Sequence, residues 1–405
     1  MVLVGAELEL LLEKNGRPME WSDWRMLMEA VQKQPGVTLE PKNDVLTGEL
    51  MGFEIPGKGV LTCDSSAAQA ELAADPGNGK NEAMENLRYL YRLLENSLDA
   101  IGANIRWGSQ YPGRITEEDY WRRVARKGLY SVVRKIWGWK HYEMHLSVAF
   151  QPAIDIEPQR AAAYLNAIHA TSPIAIAWLG GSSPSMGNET EVYYEYRMHG
   201  WRRMLTGNSF DTEIIGVRYS HSPEDYIKAL LGLKARVLTV SEGGYKAGQP
   251  VYFDPEIRGH DVISGTDAHI VTGIKDPRND VFESGNIKVS GQALLNQMDW
   301  WTFWDARWRF KQRQDGSFEK SYIEIRNIGT PSSFEKLGQI LDFFLALRDS
   351  YDIVNKLASE HGIWDNMDLA RDSAIQTGQL PPNHMAFAQL LIAMSILTKN
   401  RLHGV

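Results

Sequence analysis

A stretch near the beginning of the chain, residues 2–10, alternates in the manner of a β-strand. Side chains on a strand point to opposite faces with a period of two, so residues 2, 4, 6, 8 and 10 form an apolar face. Glu7 and Glu9 share the other face. Two acids one pleat apart repel each other unless a positive charge lies between them, and a divalent cation is the natural candidate. Taken alone, the pair is also compatible with a solvated strand edge.

Three later stretches repeat this pattern of one apolar face and one acid-bearing face. The polar faces carry Gln69 with Glu71 in residues 67–72, Glu143 with His145 in residues 141–150, and Glu324 with Arg326 in residues 322–326. Four such strands indicate one antiparallel sheet with a helix-covered face and a working face. The predicted fold class is therefore α+β, a curved antiparallel sheet with helices on its outer face.

Composition excludes several classes of protein. The net charge of −8 over 405 residues disfavours a nucleic-acid binder, which would show a basic stripe. The single cysteine, Cys63, excludes an internal disulfide framework and a cysteine-based zinc site. No signal segment precedes Val2 and no apolar run approaches the ~18 residues that cross a bilayer. We expect a cytoplasmic protein without membrane or nucleic-acid partners.

Helix and loop signals complete the predicted layout. Apolar residues recur every three or four positions over residues 81–101, which predicts an amphipathic helix on the dry face of the sheet. Thr116 opens a second predicted helix that runs to about Arg134. Residues 254–292 show no periodicity and are rich in Gly, Asp, Pro and Ser, so we interpret them as a lid loop over the working face. No linker divides the chain, and residues 1–405 are treated as a single domain.

The acid-bearing strands predict a particular metal chemistry. Two like charges about 4 Å apart cost on the order of 4 kcal/mol at an effective dielectric constant near 20, so converging acids need cations between them. Carboxylate-rich sites select Mg²⁺ or Mn²⁺ rather than zinc, and protein-bound Mg²⁺ usually completes its shell with substrate phosphates. That chemistry indicates ATP as the cofactor.

The residues also resemble a known family. Gly5-Ala6-Glu7-Leu8-Glu9 resembles the opening Gly-x-Glu-x-Glu strand of the glutamate–cysteine ligase and carboxylate–amine ligase superfamily, which is related in fold to glutamine synthetase. Similar segments follow in the family's order: Asp64 with Glu71, Gln69–Leu72, Trp107–Pro112, His145, Ser172–Pro173 or Ser183–Pro184, Tyr194–Arg197 and Ile323–Arg326. This sequence departs from the family pattern where Gln110 and Glu143 replace histidines and Ser147 replaces a glycine.

The resemblance implies a set of site residues. The implied magnesium ligands are Glu7, Glu9, Asp64, Glu71, His145 and Glu324. Arg197 and Arg326 are implied to bind the ATP phosphates or the reacting carboxylate and to act in catalysis. Arg326 is also compatible with a structural ion pair to Glu324, and Arg197 with packing on Tyr193 or Trp201.

We therefore predict an ATP-dependent carboxylate–amine ligase that uses Mg²⁺ or Mn²⁺ and forms an amide bond through an acyl phosphate. By resemblance, the small-molecule carboxylate is glutamate and the bond is γ-glutamyl. The amine and the oligomeric state, a homo-oligomer included, are left open. Phosphoryl transfer activates the carboxylate, so no nucleophilic side chain is required.

Two other functions fit parts of the pattern. A phosphotransferase of the guanidino-kinase type would use a similar acidic sheet but release a phosphorylated product. A non-catalytic protein that binds a small molecule or sugar would use the 13 tryptophans as stacking platforms and would not need a metal.

Overall fold

The structure is a computed structural model. It describes residues 2–111, 116–138, 145–180, 193–200, 215–240, 248–263, 269–276, 281–289, 302–313 and 318–397, together with 291, 294, 295 and 298. Glu143, Ser183–Pro184 and Trp201 lie outside the described residues.

Sixteen strands are found within these ranges. They are β1 (Leu3–Lys14), β2 (Arg17–Pro18), β3 (Glu40–Asn43), β4 (Leu50–Ile55), β5 (Gly59–Cys63), β6 (Gln69–Asn78), β7 (Ala103–Arg106), β8 (Phe150–Asp155), β9 (Ile215–Gly216), β10 (Lys234–Val240), β11 (Gln249–Arg258), β12 (His269–Asp276), β13 (Val281–Ile287), β14 (Phe303–Trp304), β15 (Ala306–Gln312) and β16 (Phe318–Ile325). Ten of them form an antiparallel sheet in the order β15-β16-β8-β1-β6-β5-β4-β3, and β2 and β7 also pair with β1.

β1 is the central strand of this sheet, and its apolar face is buried, as the sequence predicts. Val4, Leu8 and Leu10 are completely buried, whereas Leu3 on the other face is 47% exposed. β6 and β8 flank β1 at the level of Glu7. The α+β fold class with an antiparallel sheet is confirmed.

Helices pack on both sheets and on one another. They are α1 (Trp21–Gln32), α2 (Lys80–Asp99), α3 (Glu117–Arg123), α4 (Gly128–Trp137), α5 (Ala161–Leu179), α6 (Pro223–Gly232), α7 (Gly259–Ile263), α8 (Glu335–Glu360), α9 (Met367–Thr377) and α10 (Pro382–Ala393), with 3₁₀ turns at Pro158–Arg160 and Ile363–Asn366. α2 packs across β6 and β1, α5 packs on β15 and β16, and α8, α9 and α10 pack on α5. No helix in the described ranges is long and apolar enough to cross a bilayer.

A second, four-stranded antiparallel sheet, β10-β11-β12-β13, packs on α4. Val132 of α4, Val237 and Ile274 form a small core between them. The predicted loop over residues 254–292 is therefore wrong where the structure describes it, because this range holds the end of β11, α7, β12 and β13. Alternation is weak there because β12 is buried at four consecutive positions, 271–274, whereas β13 is buried only at Ile287. A lid role for this region stays a prediction.

Two other element boundaries differ from the prediction. His145 and Leu146 form a 3₁₀ turn, and β8 begins only at Phe150, so the strand predicted over residues 141–150 is wrong in its described part. The helix predicted from Thr116 to Arg134 is interrupted between α3 and α4. Ala67 N–H donates to the Arg123 carbonyl and Ala125 N–H donates to the Ser65 carbonyl. This strand-like pairing is incompatible with a continuous helix.

Gly77 generates a prediction about how α2 is fixed to the sheet. It pairs with Val4, and a Cβ atom at Gly77 would overlap the backbone nitrogen of Ala83 in α2. Gly77→Ala should lower the free energy of unfolding by about 1–3 kcal/mol in urea denaturation, because backbone rather than a flexible side chain must move. The control is Gly338→Ala in α8, where a Cβ meets nothing within 4 Å; it should raise the free energy of unfolding by up to about 1 kcal/mol. Equal stability of the two variants would contradict this packing.

Candidate active site

Three acidic side chains share the face of the large sheet opposite α2. β1 carries Glu7 and Glu9 at alternate positions, and its pairing with β6 places Glu9 directly opposite Glu71. Directly opposed residues of an antiparallel pair share one face, with Cβ atoms roughly 4.5–5.5 Å apart. Thr62 of β5 lies opposite Glu71 on its other side, and the Thr62 hydroxyl donates to Glu71 Oε1 over 3.4 Å.

Glu324 lies on the same face, across β8 from β1. Ala153 of β8 pairs with Gly5 of β1 and with Glu324 of β16. Arg307 of β15 is opposite Glu324, and its Nη2 donates to Glu324 Oε1 over 2.6 Å. Arg326 Nη1 donates to the same oxygen over 2.7 Å. The sheet register therefore brings Glu324 and two arginines beside the acids of β1 and β6.

Gln151 connects the two acids of β1. It lies opposite Glu7, and its Nε2 donates to Glu7 Oε1 over 2.9 Å and to Glu9 Oε1 over 2.7 Å. The second oxygen of Glu9 accepts the Ala149 N–H over 2.7 Å. These donors orient both carboxylates without adding positive charge. The sequence reasoning missed Gln151 because it ended the predicted strand at residue 150, although the period of two would have placed residue 151 on the polar face.

The electrostatics of the site show an excess of negative charge. Burial, followed by the charges of neighbouring acids, raises the pKa of Glu7 well above its usual value. Burial and the charge of Asp64 raise the pKa of Glu9 to about 8 and the pKa of Glu71 to about 7. Asp64, directly after β5, therefore acts on both acids from the loop between β5 and β6. A cation at this position would relieve the repulsion.

Glu324 behaves in the opposite way. Burial raises its pKa, but the guanidinium groups of Arg307, Arg326 and Arg309 outweigh burial and lower the pKa to about 2. The nearest of these nitrogens lie 2.6 and 2.7 Å from Glu324 Oε1, and Arg309 Nε lies 3.7 Å from Oε2. The site therefore has an acidic end around Glu71 and an arginine end around Glu324. The sequence reasoning missed Arg307 and Arg309, whose alternation on β15 was a usable signal.

Arg197 reaches this region from helical residues 196–200. Its side chain is buried, and its Nη1 donates to the backbone carbonyl of Arg326 over 2.9 Å. Burial raises the pKa of Glu9, and the charge of Arg197 opposes that rise. The structure therefore joins the two arginines that the sequence singled out and places both within electrostatic range of Glu9.

His145 is held beside the loop that follows Asp64. Its Nδ1 lies 2.7 Å from the Ser65 carbonyl oxygen. Its ring makes edge contacts with Tyr120 and Tyr130, with centroids 4.8 and 5.5 Å away. These contacts place His145 in a buried aromatic setting next to Asp64, and its ligation of a metal stays a prediction.

Lys127, which the sequence reasoning did not select, supplies positive charge at the acidic end. Burial and Asp64 raise the pKa of Glu71, and the charge of Lys127 opposes them. The flanking backbone is fixed, because Ala125 N–H donates to Ser65 and Gly128 N–H donates to Asp44 Oδ2 over 3.1 Å. Among the described residues, the Lys127 ammonium makes no direct hydrogen bond or ion pair.

A cavity of about 380 Å³ extends along the same face of the sheet. Small residues on three adjacent strands, Gly5, Ala73 and Ala153, contribute to its lining. Glu7 and Glu324 line it too, so the cavity is continuous with the acidic and arginine ends of the site. A ligand in this cavity would lie directly on the sheet because these side chains are short.

The donor chemistry fits a hard divalent cation such as Mg²⁺, since buried carboxylates with raised pKa values favour a bound cation. In the described part of the chain, no three His, Cys, Asp or Glu side chains lie close enough together to hold a metal ion. Metal ligation by Glu7, Glu9, Asp64, Glu71 and Glu324 therefore stays a prediction.

Comparison with solved structures identifies the class of fold. The chain is similar to the glutamate–cysteine ligase of Francisella tularensis, solved in complex with AMP, at 12% sequence identity and a TM-score of 0.51 over 99% of this chain and 80% of that one. A weaker likeness is to a bifunctional glutathione synthetase from Pasteurella multocida, at 11% identity and a TM-score of 0.41 over 97% of this chain and 46% of that one. The first likeness shows a shared fold.

Sequence comparison gives the family. A model of glutamate–cysteine ligase family 2 (GCS2) matches residues 3–225, more than half of the chain. The chain therefore belongs to glutamate–cysteine ligase family 2, and the prediction of an ATP-dependent ligase is confirmed. No curated protein sequence matches it significantly.

The raised pKa of Glu71 predicts a pH-dependent stability of the metal-free protein. A folded pKa of about 7 against an ordinary value of 4.5 means that stability present at low pH is lost as pH rises through about 7. At ~1.4 kcal/mol for each pKa unit, we expect a loss of about 1–3 kcal/mol. Thermal melts in EDTA at pH 5, 6, 7 and 8 measure this loss.

Glu71→Gln should show a flatter pH dependence than the parent, and Glu29→Gln, at an exposed position of α1, should not. Added Mg²⁺ should restore the stability of the parent at pH 8. Parallel pH curves for the parent and Glu71→Gln would show that Glu71 is not the responsible group.

Proposed function

We propose that this chain catalyses amide-bond formation between a small-molecule carboxylate and an amine, with ATP and Mg²⁺ or Mn²⁺, through an acyl phosphate. One observation carries the proposal: the acids of β1 and β6 have raised pKa values, whereas the acid of β16 is neutralised by arginines on the same face of the sheet. Such a face has separate places for cations and for phosphate oxygens.

The acidic end supports metal binding. Glu7, Glu9, Glu71 and Asp64 would hold divalent cations there, and Gln151 orients two of these carboxylates. Bound cations would neutralise phosphate charge, which is the usual role of Mg²⁺ in phosphoryl transfer. His145 would contribute through its Nε2 atom, since its Nδ1–H donates to the Ser65 carbonyl and fixes the tautomer.

The arginine end supports phosphoryl transfer. A carboxylate is a poor electrophile, and transfer of the γ-phosphoryl group converts it to an acyl phosphate that an amine can attack. Arg326 and Arg197 would stabilise the charge that develops on the transferred group. Arg307 would keep Glu324 paired while Arg326 changes partners, because both guanidinium groups contact the same carboxylate oxygen. Lys127 would bind an anionic group of the substrate at the opposite end.

The donor carboxylate we propose is the γ-carboxyl of glutamate, and family membership supports this choice. AMP bound to the Francisella tularensis ligase supports a nucleotide as cofactor. The cavity beside Gly5 and Ala153 gives room for a ligand next to the proposed metal site. The identity of the amine depends on side chains that approach from outside the sheet.

The direct test is turnover. The protein is incubated with ATP, Mg²⁺, glutamate and a panel of amines, and ADP, inorganic phosphate and product mass are followed together. We expect ADP, phosphate and amide in equal amounts, and no product from the Glu7→Gln variant. A phosphorylated product without free phosphate would identify a kinase instead. An absence of ATP turnover with every amine would contradict the proposal.

Arg326→Lys tests whether Arg326 takes part in the chemistry. Lysine keeps the charge but loses the planar two-pronged donor, so kcat should fall by about a hundredfold with little change in the KM for ATP. The measurement is kcat as a function of Mg²⁺ concentration. Full recovery of kcat at saturating Mg²⁺ would mean that Arg326 only braces Glu324, a role compatible with the 2.7 Å contact.

Lys127→Met tests the cation at the acidic end. Loss of one charge-assisted hydrogen bond to substrate should lower kcat/KM by about ten- to a hundredfold, and Lys127→Arg should retain part of the activity. Separate KM values for ATP and for glutamate show which substrate Lys127 contacts. If kcat/KM for both substrates is unchanged in Lys127→Met, the ammonium is only a surface charge.

A further inference from the structure

We infer that α9 positions the two arginines of the site, and that Arg371 is a positioning residue. α9 is not part of the large sheet that carries Glu7 and Glu9. It also lies beyond the residues matched by the family model. Two separate tethers nevertheless connect it to Arg326 and to Arg197. This inference rests on the proposed function, in which both arginines act on phosphate.

The first tether is a buried ion pair between α9 and the residue that precedes β15. Arg371 Nε donates to Asp305 Oδ2 over 2.7 Å, and Arg371 Nη2 donates to Asp305 Oδ1 over 2.6 Å. Asp305 is completely buried and Arg371 is 3% exposed. The two-pronged geometry fixes the orientation of the Asp305 carboxylate as well as its distance.

Asp305 in turn fixes the backbone at the arginine end. Its backbone carbonyl accepts the N–H of Arg326 over 2.9 Å. Its side chain also accepts the Ser172 hydroxyl, and Ser172 Oγ in turn accepts Asn327 Nδ2 over 2.9 Å. Two consecutive residues after β16, Arg326 and Asn327, are therefore held through Asp305. Asp305 also lies two positions before Arg307 in the sequence.

The second tether is the C-terminal end of α9. The last carbonyls of a helix lack partners within the helix and need donors from elsewhere. Here the N–H groups of Tyr194 and Glu195 donate to the carbonyls of Gln376 and Ile375, over 3.2 and 3.0 Å. These residues directly precede the helical turn that carries Arg197. The end of α9 therefore fixes where that turn begins.

Gly378 closes the contact at this second tether. It has a φ of +69°, and a Cβ atom there would lie 2.8 Å from Cδ2 of the Tyr194 ring. Only glycine allows α9 to end so close to Tyr194. Because Arg197 Nη1 also donates to the Arg326 carbonyl, the two tethers meet in one pair of arginines.

Stability alone does not account for the buried pair. Replacement of a buried ion pair by apolar residues of similar volume is often neutral or stabilising, because desolvation offsets the attraction. A two-pronged pair that holds the backbone of a phosphate-binding arginine has a different use. Preorganised donors act in catalysis only when they are held close to the productive geometry, and misplacement by about 1 Å can cost a hundredfold in rate.

The test disturbs each tether by a separate substitution. Arg371→Lys keeps the charge and removes the two-pronged contact, and Gly378→Ala pushes Tyr194 away from α9. Both variants should lower kcat at least tenfold, leave the KM for ATP within twofold, and show no recovery at high Mg²⁺. These measurements are made well below the melting temperature, with circular dichroism confirming the fold.

Two control variants separate positioning from stability. Gly102→Ala, after α2, has the same positive φ of +67° but nothing within 4 Å of its Cβ, and it matches the backbone strain of Gly378→Ala. Val354→Ala removes buried volume from α8, outside both tethers. Both controls should keep kcat within twofold. Equal losses of kcat in tether and control variants of equal melting temperature would overturn the inference, as would full activity in both tether variants.

Hydrogen exchange of the Arg326 and Glu195 amides gives a second readout that needs no turnover. Arg371→Lys should raise the exchange rate at Arg326, and Gly378→Ala at Glu195, each at least tenfold relative to Val354→Ala. Unchanged exchange in both variants would overturn the tethers. If the parent protein forms no amide, the proposed function fails, and hydrogen exchange alone then decides whether α9 holds the two arginines.

Discussion

Repulsion between buried acids is the constraint on which the site depends. The sheet register places Glu9 opposite Glu71, with Glu7 one pleat away, on a face where burial already disfavours charge. A fold that keeps these acids together has given up stability that apolar residues at the same positions would have supplied. Such a cost is characteristic of functional sites, where perturbed pKa values cluster. A bound cation is the simplest way to offset the repulsion.

The division of charge along the sheet then assigns roles to its two ends. The acids of β1 and β6 have raised pKa values, while Glu324 is held ionised by guanidinium groups from β15 and from the end of β16. Positive and negative groups are therefore separated along one face instead of being paired throughout. In the proposed function, a nucleotide with bound metal would match this arrangement, with its cations toward the acids and its phosphate oxygens toward the arginines. Family membership and this geometry agree on an ATP-dependent ligase.

The helices do more than cover the apolar face. α2 packs across β1 and β6 and fixes the strands that carry the acids. α9 contacts the arginine end from behind, through the buried Asp305–Arg371 pair and through its own C-terminal carbonyls. α4 carries Lys127 at its beginning and the small four-stranded sheet on its outer side. Each charged end of the site is therefore contacted by a helix outside the large sheet.

The sequence by itself determined the strands and the acids. β1, β6 and β16 alternate with a period of two, and this local pattern was sufficient to place Glu7, Glu9, Glu71 and Glu324 on polar faces of strands in an α+β fold. The family motifs lie on the same strands, so they could be recognised without knowledge of pairing.

Only the tertiary structure decided which side chains face one another. Gln151 contacts Glu9 from 142 residues away along the chain, and Lys127 acts on Glu71 from the break between α3 and α4. Local patterns contain no information on such contacts. The strands of residues 254–292 were missed because β12 is buried at consecutive positions and β13 is mostly exposed, so neither alternates. The turn at His145 was missed because it is fixed by Ser65 and two tyrosines. Local alternation depends on neighbours along the chain, whereas register and charge pairing depend on segments far apart in sequence.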